Sequence, residues 1–503
     1  MLLSEQHRRT LRTTQESSMQ ACQSNRRSHT GHHRLLQPAA LLLGAVALLA
    51  SASAAAIDLV ALHDIAAKQD AELQAAFYRK QANNKLTNIA WANFYPQISA
   101  SFSKNYGNNE RVVANTRQPD TDIDNKSLGL NATWAVFNWR NLGELQQAEA
   151  QTDAADADYE AAYKAFLLRV SERYFGVLSA QDNLTFAEAE EKALQRQFEQ
   201  AEQRFEVGLT AVTDVLDARA RYDQARARTI VAQNTLDDAF EGLSQLTGES
   251  FESLDLLRDE LPLESPAPDS ADEWIDIAMA NSPVLDSLRA SADAAQSGIR
   301  IARAGHLPTL DLVASFNEFT NSAVPLIDDN QVVFGTTSFT SRDTQFGLRL
   351  NVPLFSGNRV TSQRLQARHN LNAAFQDVEL QERTVMRNAY NFYRSVIADI
   401  NEVQAREQAV ISARSALEAT QAGFEVGTRT IVDVLISEQQ FFQAQRDYAQ
   451  ARYNYILDHL RLKQTAGVID PEDLMRINTL LYKEPAGGRP PVDPRVKEGE
   501  SKP

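Results

Sequence analysis

Apolar and polar residues alternate with a period of two in four stretches of the chain and follow a helical spacing almost everywhere else. In residues 97–113, Ile98, Ala100 and Phe102 alternate with Ser99, Ser101 and Ser103. In residues 126–139, Leu128, Leu130, Ala132, Trp134 and Val136 alternate with polar or small neighbours. The sequence GHLPTLDLVASF at 305–316 puts Leu310, Leu312, Ala314 and Phe316 on one side, and residues 344–355 do the same with Phe346, Leu348, Leu350, Val352 and Leu354. A period of two predicts half-buried strands, here of about ten residues each. Polar segments rich in Asn, Asp and Pro, near 108–120 and at about 321–338, predict loops between strands one and two and between three and four. Pro96 and Pro308 stop the helix before each strand pair.

The rest reads as helix. Residues 57–93 are predicted helical with a break near Asp70, and residues 272–304 are predicted helical throughout. Residues 141–206 contain no proline, only two interior glycines (Gly143 and Gly176), and many Ala, Gln, Glu, Leu and Arg, all good helix formers. At 1.5 Å per residue such a helix is about 99 Å long. A returning helix is predicted for 210–248, then an irregular segment with Pro262, Pro266 and Pro268. A second long pair spans 358–425 and 428–465.

Each long pair turns on a similar peptide. FEVGLTAVTDVL at Phe205–Leu216 and FEVGTRTIVDVL at Phe424–Leu435 agree at seven of twelve positions, 424 − 205 = 219 residues apart. Gly208 and Gly427 stand where a helix would end in a left-handed residue. Element order, turn sequence and offset together predict a tandem duplication, with one repeat over 57–271 and another over 272–482. Residues 483–503, rich in Pro, Gly and charge, are expected to be disordered.

Composition narrows the setting. Fifty Lys and Arg against 66 Asp and Glu give a net charge of −16, without basic blocks, which argues against nucleic acid as a partner. Residues 1–38 carry six Arg and two Glu, followed by AALLLGAVALLA at 39–50 and A-x-A sites at 52–54 and 54–56. Basic, apolar, then small is the order of a secretory signal, starting at Met1 or Met19, and twelve apolar residues are too few for a retained anchor. The expected mature chain has a charge of −16 − 6 + 2 = −20 and no cysteine, since Cys22 precedes the apolar core. No later stretch approaches 18 consecutive apolar residues, so an exported chain of this kind is soluble or a β-barrel. His63, His306, His369 and His459 are isolated, no catalytic or phosphate-binding motif stands out, and neither enzyme chemistry nor a cofactor is expected.

Four strands cannot close a barrel, and an open sheet edge in lipid leaves backbone groups unpaired. Two copies would give eight strands, three would give twelve. The alternatives are a sheet packed on its own helices, or an exported coiled-coil structural protein or adhesin without a pore. The long helices lack the Leu or Ile at nearly every core position that a solid coiled coil requires. Their small residues fit a hollow bundle with close helix–helix seams better.

The motifs GHLPTLDL at Gly305–Leu312, VGLTAVTDV at Val207–Val215, VGTRTIVDVL at Val426–Leu435 and ARYNY at Ala451–Tyr455 resemble the TolC family of outer-membrane channels over about 57–482. The resemblance implies the outer membrane efflux protein fold, mainly α with a membrane β-barrel. Each protomer supplies four β-strands and long α-helical hairpins, and a homotrimer closes a twelve-stranded β-barrel and a periplasmic α-helical barrel. It implies contact with outer-membrane lipid and docking to a periplasmic adaptor (membrane fusion) protein and an inner-membrane transporter of RND or ABC type. The function implied is an exit duct for drug efflux and for type I protein secretion, or a duct dedicated to the latter.

The resemblance also suggests roles at the turns. Arg429 matches a latch arginine whose partners match Thr213 and Asp214, and Asp433 matches a pore-constricting aspartate. By spacing alone, Thr430-x-x-Asp433 also reads as a capping box. Val207, Gly208, Val426 and Gly427 match the grooves that receive the adaptor, and both glycines also suit plain helix caps. Two positions depart from the family pattern. Ile436 stands where a second ring of aspartates is expected, making that constriction apolar. Phe424 replaces a tyrosine whose hydroxyl joins the latch.

Overall fold

A computed structural model describes residues 56–109, 112–113, 116–117, 121–325 and 338–483. The chain divides into Met1–Ser53, which lies outside those residues, and Ala54–Pro503, which holds everything described below. The expected leader, the tail beyond Lys483 and parts of both expected loops therefore lie outside the described residues.

In chain order the first half comprises α1 (Leu59–Gln69), α2 (Ala71–Ala92), β1 (Gln97–Asn109), β2 (Val112–Val113), β3 (Thr116–Arg117), β4 (Thr121–Phe137), α3 (Trp139–Glu206), α4 (Val212–Thr247) and β5 (Leu256–Leu257). The second comprises α5 (Ala271–Asn281), α6 (Pro283–Ala304), β6 (Thr309–Pro325), β7 (Ser338–Asn351), α7 (Arg359–Glu425), α8 (Ile431–Thr465), α9 (Pro471–Asn478) and β8 (Leu481–Tyr482). The break near Asp70 has a local cause. Asp70 ends α1 in an extended conformation and its side chain accepts from Glu72 N at the start of α2. The stretch 272–304, expected as one helix, also breaks, at Ser282, but there the side chain makes no cap onto the next helix. Ser282 must be extended because Pro283 follows it, and Pro283 then opens α6.

α3 has 68 residues and α7 has 67, so each is about 100 Å long. Along α7 the buried residues Ala389, Val396, Val403, Val410 and Leu417 recur every seven positions, and along α4 so do Ala218, Ala225 and Ala232. A seven-residue repeat keeps a seam facing its partner only if the helices supercoil left-handedly. The seam is one residue per heptad, alanine on α4 and mostly valine on α7, and it leaves most of each surface uncovered by its own chain. α8 differs: it buries residues at alternating steps of three and four, from Ile431 through Leu435, Glu438, Phe442 and Gln445 to Ala449. It packs against α7 on one side and α3 on the other.

β1, β4, β6 and β7 form one antiparallel sheet in that order. The ladder runs beyond the expected strands: β4 and β6 each have 17 residues. Polar residues such as Asn317, Thr320 and Asn321, expected as strand end or loop, are paired. Backbone pairing is indifferent to side-chain polarity, so the ladder continues past the apolar stretch that marks it in the sequence.

The main core gathers α1, α3, α5, α8 and α9 around Leu59, Leu62, Phe166, Tyr174, Phe175, Trp274 and Tyr453. β5 pairs with β8, and Ile57 bridges to Leu254, so the first described residues, the segment between α4 and α5 and the last described strand meet there. Tyr174 Oη donates to Asp255 O at 2.8 Å, and the buried Arg452 donates to Arg258 O. α9 and this small sheet carry no periodic signal and were not anticipated. Gly467 follows α8 with φ +69°, and a Cβ there would lie 2.0 Å from Asn281 O, so the approach of α5 to this turn admits only glycine.

Candidate functional site: the paired hairpin tips and the outward sheet

Both tips are built by the same backbone device. In the first, Gly208 has φ +75°, Gly208 N donates to Phe205 O at 2.9 Å and Leu209 N to Arg204 O at 2.8 Å. In the second, Gly427 has φ +79°, Gly427 N donates to Phe424 O at 3.1 Å and Thr428 N to Gly423 O at 2.8 Å. These bonds satisfy the carbonyls left over at each helix end. Both glycines are thus helix terminators, whatever else they do.

The returning helices start differently. Thr430 caps α8: Asp433 N donates to Thr430 Oγ1 at 3.2 Å, while Thr430 N and Oγ1 donate to Asp433 Oδ2 at 2.9 and 2.8 Å. The capping box is therefore real, and it occupies one carboxylate oxygen of Asp433. The Thr430 backbone and side-chain hydrogen bonds, with Arg429 adding a smaller pull, hold the Asp433 carboxyl below the usual carboxylate range. In the first tip the equivalent cap is Ala211, which has no hydroxyl. Asp214, the counterpart of Asp433, instead accepts from Thr210 Oγ1 at 2.5 Å.

Arg429 turns back on its own hairpin, with Arg429 N donating to Gly423 O at 3.2 Å. Among the described residues no hydrogen bond or ion pair joins Arg429 to Thr213 or Asp214. Within one chain the tips are instead held by an apolar cluster of Leu194, Ala201, Ala218, Ala225, Ile431 and Leu435, with Phe198, Tyr222 and Phe424 packed on it. Phe424 also carries a polar tie: the Arg204 guanidinium of α3 sits 4.6 Å from its ring centre. The ring thus meets the first hairpin through its face, a contact that needs no hydroxyl. Arg204 was not singled out from the sequence, where it is one of many arginines on polar helices.

Farther from the tips lies a buried charge cluster that also escaped the sequence. Glu190 of α3 is 1 % exposed and lies 2.9 Å from both Arg228 of α4 and Arg446 of α8. Glu438 of α8 is likewise buried. Desolvation pushes its carboxyl up to about 7, Arg196 pulls it down and Glu190 pushes it up. Ile436 lies on an exposed face of α8 and lines a groove with Arg406, Gln440 and Asp447. Val207 (70 % exposed), Leu209 (75 %) and Val426 (75 %) display apolar side chains at the tips.

At the opposite end of the long helices the sheet shows an inverted pattern. Ile98, Phe102, Leu128, Leu130, Phe346, Leu348 and Leu350 are exposed. Register puts them on one face: Ile98–Ala132–Ala314–Phe346 form one row and Leu310–Leu350 belong to the same side. The other face is mostly polar, with Ser99–Asn131–Ser315–Gln345 in one row and the Phe319–Phe339 ring pair farther out. Trp91, Tyr95, Phe137, Trp139 and Phe355 are exposed where the sheet meets the helices. Among the described residues no helix is long and apolar enough to cross a membrane. An apolar outer face, a polar inner face and an aromatic girdle are the parts of a transmembrane barrel wall.

The class these features define is a membrane-barrel protomer carried on long α-helical hairpins. Comparison with known proteins gives the family. The sequence profile described as "Outer membrane efflux protein" matches residues 62–249 and 274–468, and the chain belongs to that family. It is similar to the outer membrane protein TolC of Vibrio cholerae, with 35% identity across 84% of this chain and 94% of the relative. TolC of Escherichia coli is 32% identical over 88% of each chain. The alkaline protease secretion protein AprF of Pseudomonas aeruginosa is 28% identical over 86% of this chain and 89% of its own. Among solved structures, CusC superposes with a TM-score of 0.66 at 20% identity, covering 82% of this chain and 92% of that one. The outer membrane protein VceC from Vibrio cholerae gives 0.65 at 21% identity, over 81% and 96%. The chain is a TolC-family outer-membrane efflux channel with a large periplasmic portion. This family consists of channels rather than enzymes.

Proposed function

We propose that three copies of this chain close a passive exit duct, with 3 × 4 = 12 strands in the outer membrane and a helical tunnel below. The observation that carries this reading is the sheet itself. β1 and β7 are edges of 13 and 14 residues, and the sheet's apolar face has no protein cover. Lipid tolerates that face but not unpaired edges, so β1 of one copy must meet β7 of the next. The polar face then lines the lumen.

At the far end, the tips form the periplasmic gate. Arg429 reaches Thr213 and Asp214 across protomers as a latch, with Phe424 seated behind it. Three copies of Asp433 form a ring whose unengaged oxygens face cations, and Ile436 forms an apolar ring one turn later. The exposed valines beside Gly208 and Gly427, Val207 and Val426, are where a periplasmic adaptor docks and links the duct to an inner-membrane transporter of RND or ABC type. The two repeats, 57–271 and 272–482, each contribute one hairpin. Cargo includes drugs and, in line with relatives named for protease secretion, proteins passed by a type I system.

Planar-bilayer recording of the purified protein tests the duct: a well-folded trimer without conductance sinks it. For the gate, Arg429→Ala is expected to raise single-channel conductance, and Asp433→Ala to weaken block by multivalent cations. If conductance and block are both unchanged, the gate assignment is wrong.

A further inference from the structure

The outward face of the sheet changes character within one step of the ladder. Moving away from the helices, its apolar rows end at Phe102–Leu128–Glu318–Arg342, where Arg342 Nε and Glu318 Oε2 neutralise each other at 2.8 Å. The next row on the same face is Lys104–Lys126–Thr320–Thr340. Thr320 and Thr340 hydrogen-bond each other through their hydroxyls at 3.1 Å. Lys104 and Lys126, both exposed, stand directly opposite each other in the β1–β4 ladder. Among the described residues neither has an ion pair. The described carboxylates closest in the ladder are Glu318, engaged by Arg342, and Asp124, one row farther out opposite Tyr106. Lys104 Nζ lies over the Tyr106 ring, 4.3 Å from its centre, which fixes the position of the ammonium group.

Two like charges directly opposite on neighbouring strands repel, and nothing in the ladder requires them: the same row continues with threonines. An anion between the two ammonium groups removes the repulsion. The depth of the row says which kind. From Leu310, level with Phe137 of the girdle, to Thr320 is ten residues. That is about 33 Å along a strand and about 25 Å along the membrane normal at the usual barrel tilt, the height of an apolar band. The lysines therefore sit at the headgroup level of the outer leaflet, with Phe102 and Leu128 just below them for acyl chains.

We propose that Lys104 and Lys126 form a binding site on the barrel wall for a phosphate of an outer-leaflet glycolipid. Tyr106 holds Lys104 in place, and the apolar rows below receive the lipid's chains. The proposal rests on the closed-barrel reading, in which this face is the outside. Only the lipid meets both halves of the site, since a free phosphate uses the lysines alone.

The test uses the detergent-solubilised trimer with three probes: a diphosphorylated, multiply acylated diglucosamine lipid, its dephosphorylated form, and inorganic phosphate. Native mass spectrometry and thermal melting read binding. The wild type is expected to prefer the phosphorylated over the dephosphorylated lipid by roughly tenfold or more. Lys104→Gln with Lys126→Gln should abolish that preference, while Lys104→Arg with Lys126→Arg keeps it. Equal binding of both lipids by the wild type, or a preference that survives in the Gln variant, overturns the proposal. So does inorganic phosphate matching the lipid's thermal shift, which reduces the site to one for a free anion. Conductance separates this from the closed-barrel reading, because wild type and Gln variant should conduct alike. A wild type without conductance fails the barrel first.

Discussion

Phe424 shows how one substitution redirects a contact. The family resemblance leads one to expect a hydroxyl here. The ring instead offers its face to the Arg204 guanidinium at 4.6 Å, which ties α3 to α7 beside the tips. A cation over an aromatic face is worth about 0.5–1 kcal/mol at an exposed site, little enough to yield when a gate opens. Arg204→Ala should therefore raise the open probability in single-channel records, and restoring charge with Lys should recover only part of the effect. Glu438 is the other residue with a sharp expectation. Its ordinary value is 4.5 and burial pushes it up to about 7. Between those pH values the folded chain binds more protons than the unfolded chain, so this group's contribution falls as pH rises through the window and is flat above it. The cost accumulated across the window is about 3 kcal/mol. Glu438→Gln should flatten the loss of thermal stability between pH 5 and 7; an equal slope in both proteins would show that this carboxyl does not titrate there.

Among elements, the decisive relation is between the two hairpins of one chain. Glu190 joins α3 to α4 through Arg228 and to α8 through Arg446, and it is buried in doing so. Removing Glu190 breaks both ties, but the arginines left behind reach solvent and can be rehydrated, so the cost is about 1–3 kcal/mol. Glu190→Ala is expected to lower the melting temperature and to speed amide exchange in α4 and α8 below this level, leaving the strands unaffected. The hairpins themselves were legible in the sequence, because missing prolines and a repeated glycine turn are local signals. Their tie was not. Glu190 and Arg446 are 256 residues apart, and no periodicity marks them among the many charges on these helices. The Thr430–Asp433 cap was legible for the opposite reason: both partners lie within one helical turn.

For the whole molecule, the inverted sheet sets the environment. Phe346 and Gln345 are neighbours in β7 on opposite faces, and Phe346 lies in the middle of the apolar band. Phe346→Lys should cost about 2–4 kcal/mol near the bilayer midplane and reduce the yield of heat-resistant oligomer in the outer membrane. Gln345→Lys, facing the lumen, should assemble normally and shift ion selectivity. Reversed outcomes would mean the sheet faces the other way.

The sequence by itself determined the elements whose causes are local: the period-two strands, the proline-bounded helices, the glycine turns and their duplication. Hydrophobic period and turn chemistry act over a few residues, so they can be read without knowing what packs where. Family motifs then supplied the class of protein, which the profile match and the relatives bear out. The break of α5 from α6 also has its cause in the sequence, at Pro283. Tertiary structure alone decided how far the ladder runs beyond its apolar stretch. It alone brought Glu190 to Arg446, Phe424 to Arg204 and Lys104 to Lys126. Each of these depends on partners dozens to hundreds of residues away, and only the folded backbone sets such distances.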